Sequence, residues 1–220
     1  MSKNKNGQSI NSLKNACLLA TFLLIVWGFY RLIFKLPEEI EEIFIKPLVW
    51  LLPVFYFLKK EKAGISSLGF TLRNLFPAIY YSLGLGFIFI FEALFINYLK
   101  YGSFNFAANI GDKPFLTSLG ISFATAFSEE VAFRGYLFSR TLASLKNEFW
   151  ANISTSLVWA LIHVPVVVFV WKLDFSASIL YLALTTIFGI GSAFVFARTK
   201  NIVSSILLHV LWEWPIVLFR

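Results

Sequence analysis

Glu129, Glu130 and Arg134 fall within six residues of one apolar segment, Ser128-Glu129-Glu130-Val131-Ala132-Phe133-Arg134-Gly135. Even on lenient insertion scales an ionisable side chain at the centre of a membrane helix costs about 2.5–3.5 kcal/mol, so three together imply a task. On a helix Glu130 and Arg134 are i and i+4 and can pair, whereas Glu129 points about 100° away and stays free for another job. A salt bridge that pins helix packing accounts for one Glu–Arg pair; it leaves the second carboxylate unexplained. Two more polar constellations stand downstream. Trp159-x-x-x-His163 is followed by Pro165, and His209-x-x-x-Glu213 is flanked by Trp212 and Trp214. The second spacing stacks both side chains on one helix face, suited to gripping a metal, a water or a substrate carbonyl. Each has a plainer competitor: a hydrogen-bonded core histidine for the former, an interfacial aromatic belt with a local His–Glu bond for the latter.

These residues need helices to hold them, and the composition supplies membrane helices. The 220 residues are 58% hydrophobic and 14% charged, with mean hydropathy +0.75, 26 Phe and 7 Trp. A soluble domain carries roughly 25% charge. The net charge of +7 is scattered between apolar runs, which fits membrane orientation and argues against nucleic-acid binding. Cys17, the single cysteine, excludes an intrachain disulfide and a cysteine-built zinc cage. Apolar runs at 16–34, 43–58, 75–99, 115–138, 149–171, 175–197 and 202–219 predict an all-α polytopic bundle of about seven transmembrane helices. The second run is short and broken by Pro47 and Pro53, so it is the weakest span. Residues 1–12 read as a disordered cytoplasmic tail, 13–220 as one domain, and 102–114 as a polar outer loop. No internal repeat is visible, which weighs against a transporter.

Charge predicts the orientation. With the N-terminus inside, one side receives Lys3, Lys5, Lys14, Lys59, Lys60, Lys62, Arg73, Arg140, Lys146, Arg198 and Lys200. The other receives fewer cations and the cluster Glu38, Glu39, Glu41 and Glu42. The N-terminus is therefore expected in the cytoplasm. At about 1.5 Å per helical residue, Glu129 lies about 13 Å, His209 about 12 Å and His163 about 17–21 Å from the inner ends of their runs. The two histidines and the unpaired glutamate are expected to share a cavity in the inner half of the membrane, opening to the cytoplasm. Glu92 is expected above that cavity, and Gly84, Gly86, Gly189 and Gly191 are expected where helices approach closely.

Glu-Glu-x-x-x-Arg, then aromatic-x-x-x-His, then His-x-x-x-acid, in this order over about 115–220, resembles the CAAX protease and bacteriocin-processing (CPBP, or Abi) family of intramembrane proteases. The resemblance implies an integral membrane protein hydrolysing a peptide or protein substrate; the short length and lack of long loops point to a prokaryote, where the plasma membrane is the expected home. It implies that Glu129 and His163 activate a water, that Glu130 and Arg134 support the site, and that His209 and residue 213 stabilise the oxyanion or hold a metal. The family usually has Asn or Asp at the last position and this chain has Glu213; an ionised glutamate cannot donate to an oxyanion. Glu129, His163 and His209 would supply three zinc ligands with an open fourth position. A metal-free glutamate mechanism is equally compatible with the sequence. A non-catalytic immunity or scaffold protein of the same fold is the alternative.

Overall fold

The computed structural model describes the backbone of residues 3–104 and 115–219 and the side chains of 11–104 and 116–213. Among these residues the chain forms seven helices and no strand: α1 (Lys3–Ile33), α2 (residues 38–61), α3 (Leu75–Tyr101), α4 (residues 115–145), α5 (Glu148–Val170), α6 (Phe175–Thr199) and α7 (Ile202–Phe219). A 3₁₀ turn, Ile65–Leu68, lies between α2 and α3. Four helical stretches are long and apolar enough to cross a membrane, namely Asn11–Ile33 and the whole of α3, α5 and α6. Ile202–Glu213 of α7 is apolar but shorter. The outer loop expected at 102–114 lies, beyond Phe104, outside the described residues.

The breaks between helices follow local chemistry. Asn147 and Asp174 cap α5 and α6 by accepting from Trp150 N at 3.2 Å and Ala177 N at 2.8 Å. Lys62, Lys146 and Lys200 end α2, α4 and α6 in the left-handed region, each donating its backbone N–H to a carbonyl of the last turn. α1 begins at Lys3, so the expected irregular tail over 1–12 is helical from that point. Once a helix is nucleated, adding residues is far cheaper than starting one, and Pro and β-branched residues are scarce there.

Three π-helical stretches interrupt the α geometry: Glu41–Ile45 in α2, Val131–Phe138 in α4 and Val166–Val170 in α5. The first adjoins Pro47 and the last follows Pro165, where the ring removes a backbone donor and crowds the preceding turn. A π turn rotates the side chains beyond it relative to those before it, and such turns recur at functional sites.

One end of the bundle is cross-linked by polar contacts. Glu61 accepts from Asn15 Nδ2 at 3.1 Å, Tyr136 OH at 2.7 Å and Arg140 Nε at 2.9 Å. Arg140 also reaches Ser67, and Asn201 Nδ2 donates to the carbonyls of Thr71 and Arg73. This end carries Lys59, Lys60, Lys62, Arg73, Lys146 and Lys200, and is termed the basic end. At the far end Arg31 pairs with Glu41, and Tyr30 OH donates to the same carboxylate at 3.2 Å.

α4 extends seven residues beyond the apolar run that ends at Phe138. Arg140, anchored by Glu61 and Ser67, and Ser139, whose Oγ donates to the Arg134 carbonyl at 3.1 Å, continue it where hydropathy drops. Glu129 therefore stands about 24 Å along the helix from its basic end, not about 13 Å. Close helix approach holds at Gly86, Gly189 and Gly191, where an added Cβ would come within 3.0 Å or less of Leu211, Ser156 or Leu85. Gly84 faces open space instead.

Candidate active site

Glu130 is fully buried and both of its carboxylate oxygens are hydrogen-bonded. Its Oε1 accepts from Arg134 Nη1 at 3.0 Å and from His209 Nδ1 at 2.8 Å, and its Oε2 accepts from Ser192 Oγ at 2.7 Å. The pair is i,i+4 on α4, as the spacing requires. Arg134 continues across to α6, donating from Nη2 to the Gly189 carbonyl at 3.2 Å while its guanidinium lies over the rings of Trp159 (4.8 Å) and Phe188 (5.7 Å). A Cβ on Gly189 would approach Ser156 Cβ to 3.0 Å, so glycine sets the α5–α6 spacing that brings this carbonyl into reach. Glu130 thereby fixes the ring of His209. Because a carboxylate oxygen only accepts, Nδ1 is the donor in that bond, and Nε2 is left for the other side of the ring.

Glu129, one residue earlier and 3% exposed, faces elsewhere. Its Oε1 lies 2.6 Å from Lys46 Nζ, and its Oε2 accepts from Trp159 Nε1 at 2.8 Å. Lys46 is buried on α2 and also donates to Glu42 Oε2 at 2.6 Å, an oxygen that Thr125 Oγ1 reaches at 2.7 Å. Its ammonium sits 5.7 Å and 5.6 Å from the ring centroids of Trp27 and Trp50. Nothing in the spacing of the apolar runs connects Lys46 with Glu129, 83 positions further on. A signal was present: Glu42 and Lys46 are an i,i+4 ionisable pair inside an apolar run.

His163 is half-buried on α5, with Nδ1 2.8 Å from the Trp159 carbonyl oxygen. A carbonyl accepts only, so Nδ1–H donates and Nε2 carries the lone pair. Trp159 thus holds both Glu129 and His163, and its ring meets His163 and His209 edge-on at 4.9 Å and 5.7 Å. Glu213, one turn beyond His209, accepts from Ser122 Oγ at 2.6 Å. The side chain of Trp214 lies outside the described residues.

Glu129, His163, His209 and Glu213 all line one cavity of about 470 Å³. Lys46, Glu42, Thr125, Trp159, Trp171, Tyr181 and Trp212 share its wall, together with Trp27, Arg31, Leu36, Glu38, Glu41 and Val166. Glu130 and Arg134 do not line it; they stand behind His209. Glu92 is outside it as well. The cavity is not at the basic end, where the expected inner-half position would put it. Its wall takes the far-end portions of α1, α2, α5 and α6 and, from the middle of α7, His209, Trp212 and Glu213.

The expected zinc ligands do not fit a metal in this arrangement. Among the described residues no three His, Cys, Asp or Glu side chains are grouped to hold an ion. Glu129 has one oxygen on an ammonium and the other on an indole N–H, and the Lys46 charge opposes a cation there.

Residues 111–215 match the family model described as type II CAAX prenyl endopeptidase Rce1-like. No curated protein and no solved structure matches the chain.

Proposed function

Residues 111–215 belong to the CAAX protease family, and on that premise we propose that the protein is an intramembrane endopeptidase of the plasma membrane in which Glu129 and His163 activate a water. The observation behind this reading is the convergence of Glu129, His163 and His209, from three helices, on one buried cavity. With Nδ1 anchored on the Trp159 carbonyl, His163 offers Nε2 as the proton acceptor while Glu129 orients the water beside it. The oxygen of that water attacks the peptide carbonyl, the proton passes to the His163–Glu129 pair, and the same proton is returned to the departing amine. His209, positioned by Glu130, donates from Nε2 to the developing oxyanion when it is an imidazolium. Lys46 gives two of its three N–H bonds to Glu42 and Glu129; the third serves the oxyanion, a task an asparagine would perform at position 213.

The decisive measurement is cleavage by purified protein in liposomes of a substrate identified by comparing membrane proteomes with and without the intact gene. His163→Ala should lower the cleavage rate by about 10²–10⁴-fold, the usual worth of a positioned base. A variant within threefold of the parent would remove His163 from the reaction. We propose a metal-independent reaction, since Lys46 occupies the cationic position next to Glu129. Dialysis against chelator should leave the rate unchanged, and a loss restored by added zinc would reverse that assignment. One observation favours a non-catalytic scaffold or immunity protein: the Lys46–Glu129 pair ties up the carboxylate. Absence of any Glu129-dependent cleavage would select it.

A further inference from the structure

Two ends of the bundle differ in charge, and the cavity belongs to only one of them. Leu36 and Glu38, in and beside the α1–α2 connection, form part of its wall, as do Trp171 at the end of α5 and Tyr181 in the second turn of α6. Every one of these is at the far end. No residue of the basic-end connections 62–74, 146–147 or 200–201 contributes to it. Toward the basic end the space below Glu129 is filled by Trp50, Phe133, Tyr136 and Phe138, each at most 1% exposed, and by the Glu130–Arg134–Gly189 chain. A second cavity, of about 590 Å³ between α1 and the end of α2, lies at the basic end and shares no residue with the first.

Cations accumulate on the cytoplasmic side of membrane proteins. The basic end, with Lys59, Lys60, Lys62, Arg73, Lys146 and Lys200, is therefore the cytoplasmic one, and the far end, with Glu38, Glu39, Glu41 and Glu42, faces outward. We infer that the cavity is loaded from the extracytoplasmic face, so that its substrate is a peptide segment exposed on the outer side of the membrane rather than a cytoplasmic tail. This rests on the peptidase reading and names its substrate class. It also reverses the access expected from hydropathy, where a helix ending at Phe138 puts Glu129 close to the inner surface.

The test uses the single native thiol to advantage. In a Cys17→Ser background, Leu36→Cys and Ser66→Cys each place one thiol, the first at the cavity mouth and the second in the basic-end turn. Both positions are exposed. In right-side-out membrane vesicles a bulky, membrane-impermeant maleimide should label Leu36→Cys and spare Ser66→Cys, and inverted vesicles should show the opposite. Labelling should also reduce cleavage of the native substrate at least tenfold in Leu36→Cys relative to the unlabelled half of the same preparation. The same reagent, applied to inverted vesicles, should leave Ser66→Cys cleavage unaltered. The opposite labelling pattern would overturn the orientation; a fully labelled Leu36→Cys that cleaves at its unlabelled rate would overturn the loading route. Failure of the peptidase reading is distinguishable, because it appears as cleavage that persists in Glu129→Gln, or as none in the unlabelled parent, whatever the labelling pattern.

Discussion

Glu129→Gln should lose cleavage by about 10²–10⁴-fold while the protein remains folded and inserted, as expected for removal of a carboxylate that positions or deprotonates water. Glutamine is isosteric and keeps an oxygen for Trp159 Nε1, which lies 2.8 Å from Glu129. Its amide cannot accept from Lys46 through nitrogen, so the ammonium keeps only Glu42 as a charged partner. Breaking a buried ion pair by removing one side costs about 3–5 kcal/mol, which raises the question of whether lost activity reflects lost structure. The double variant Glu129→Gln with Lys46→Met separates the two, because it removes the stranded charge as well. Thermal stability in detergent should recover in the double variant and cleavage should not. Recovery of both would make Glu129 a packing residue.

Arg134→Met should produce the largest stability loss of any single replacement in α4, about 3–5 kcal/mol, since it leaves the Glu130 carboxylate buried without its cation. Glu130 has no exposure to water, and Arg134 is its nearest permanent positive charge, at 3.0 Å. The same change frees the Gly189 carbonyl, 3.2 Å away, and uncovers the Trp159 face. Adding Glu130→Gln to Arg134→Met removes the orphaned charge, so at least half of the stability should return. Activity should stay low, because His209 Nδ1 then loses the carboxylate that fixes its ring. The measurement is a double-mutant cycle on the detergent denaturation midpoint, paired with a cleavage rate. An Arg134→Met protein as stable as its parent would show that the network contributes nothing to the fold.

The two results probe different sides of adjacent residues. Glu129 and Glu130 are chemically identical and consecutive, yet one lines the cavity and the other is sealed behind an imidazole. Helical geometry alone separates them by about 100° and predicts that they serve different jobs. Which job belongs to which depends on neighbours: Lys46 and Trp159 for one, Arg134, His209 and Ser192 for the other.

Much of the architecture was readable from hydropathy. The runs at 75–99, 149–171, 175–197 and 202–219 differ from α3, α5, α6 and α7 by no more than two residues at either end. Those helices begin and end where apolarity changes, and Asn147 and Asp174 mark the starts. α2 and α4 were read less well because they are held by polar contacts rather than by uniform apolarity. Pro47 and Pro53 mark α2 as the weakest span, and it is not among the four stretches long and apolar enough to cross a membrane; it is nonetheless continuous and contributes Glu42 and Lys46 to the cavity. The Phe138 boundary failed because Arg140 is satisfied inside the protein, so its charge does not mark a helix end.

By itself, the sequence determined the all-helical class, the i,i+4 pairing of Glu130 with Arg134, and three constellations on three helices. These follow from periodicities that act within one element, where spacing along the chain fixes spacing in space. Only the tertiary structure decided that Lys46 reaches Glu129, that Trp159 holds both Glu129 and His163, and that the far ends of α1, α2 and α6 close the cavity around mid-helix residues of α5 and α7. Those contacts join residues far apart in the chain. Their geometry depends on helix packing, on where three π turns rotate the side chains, and on an arginine whose buried partners carry α4 beyond its apolar run.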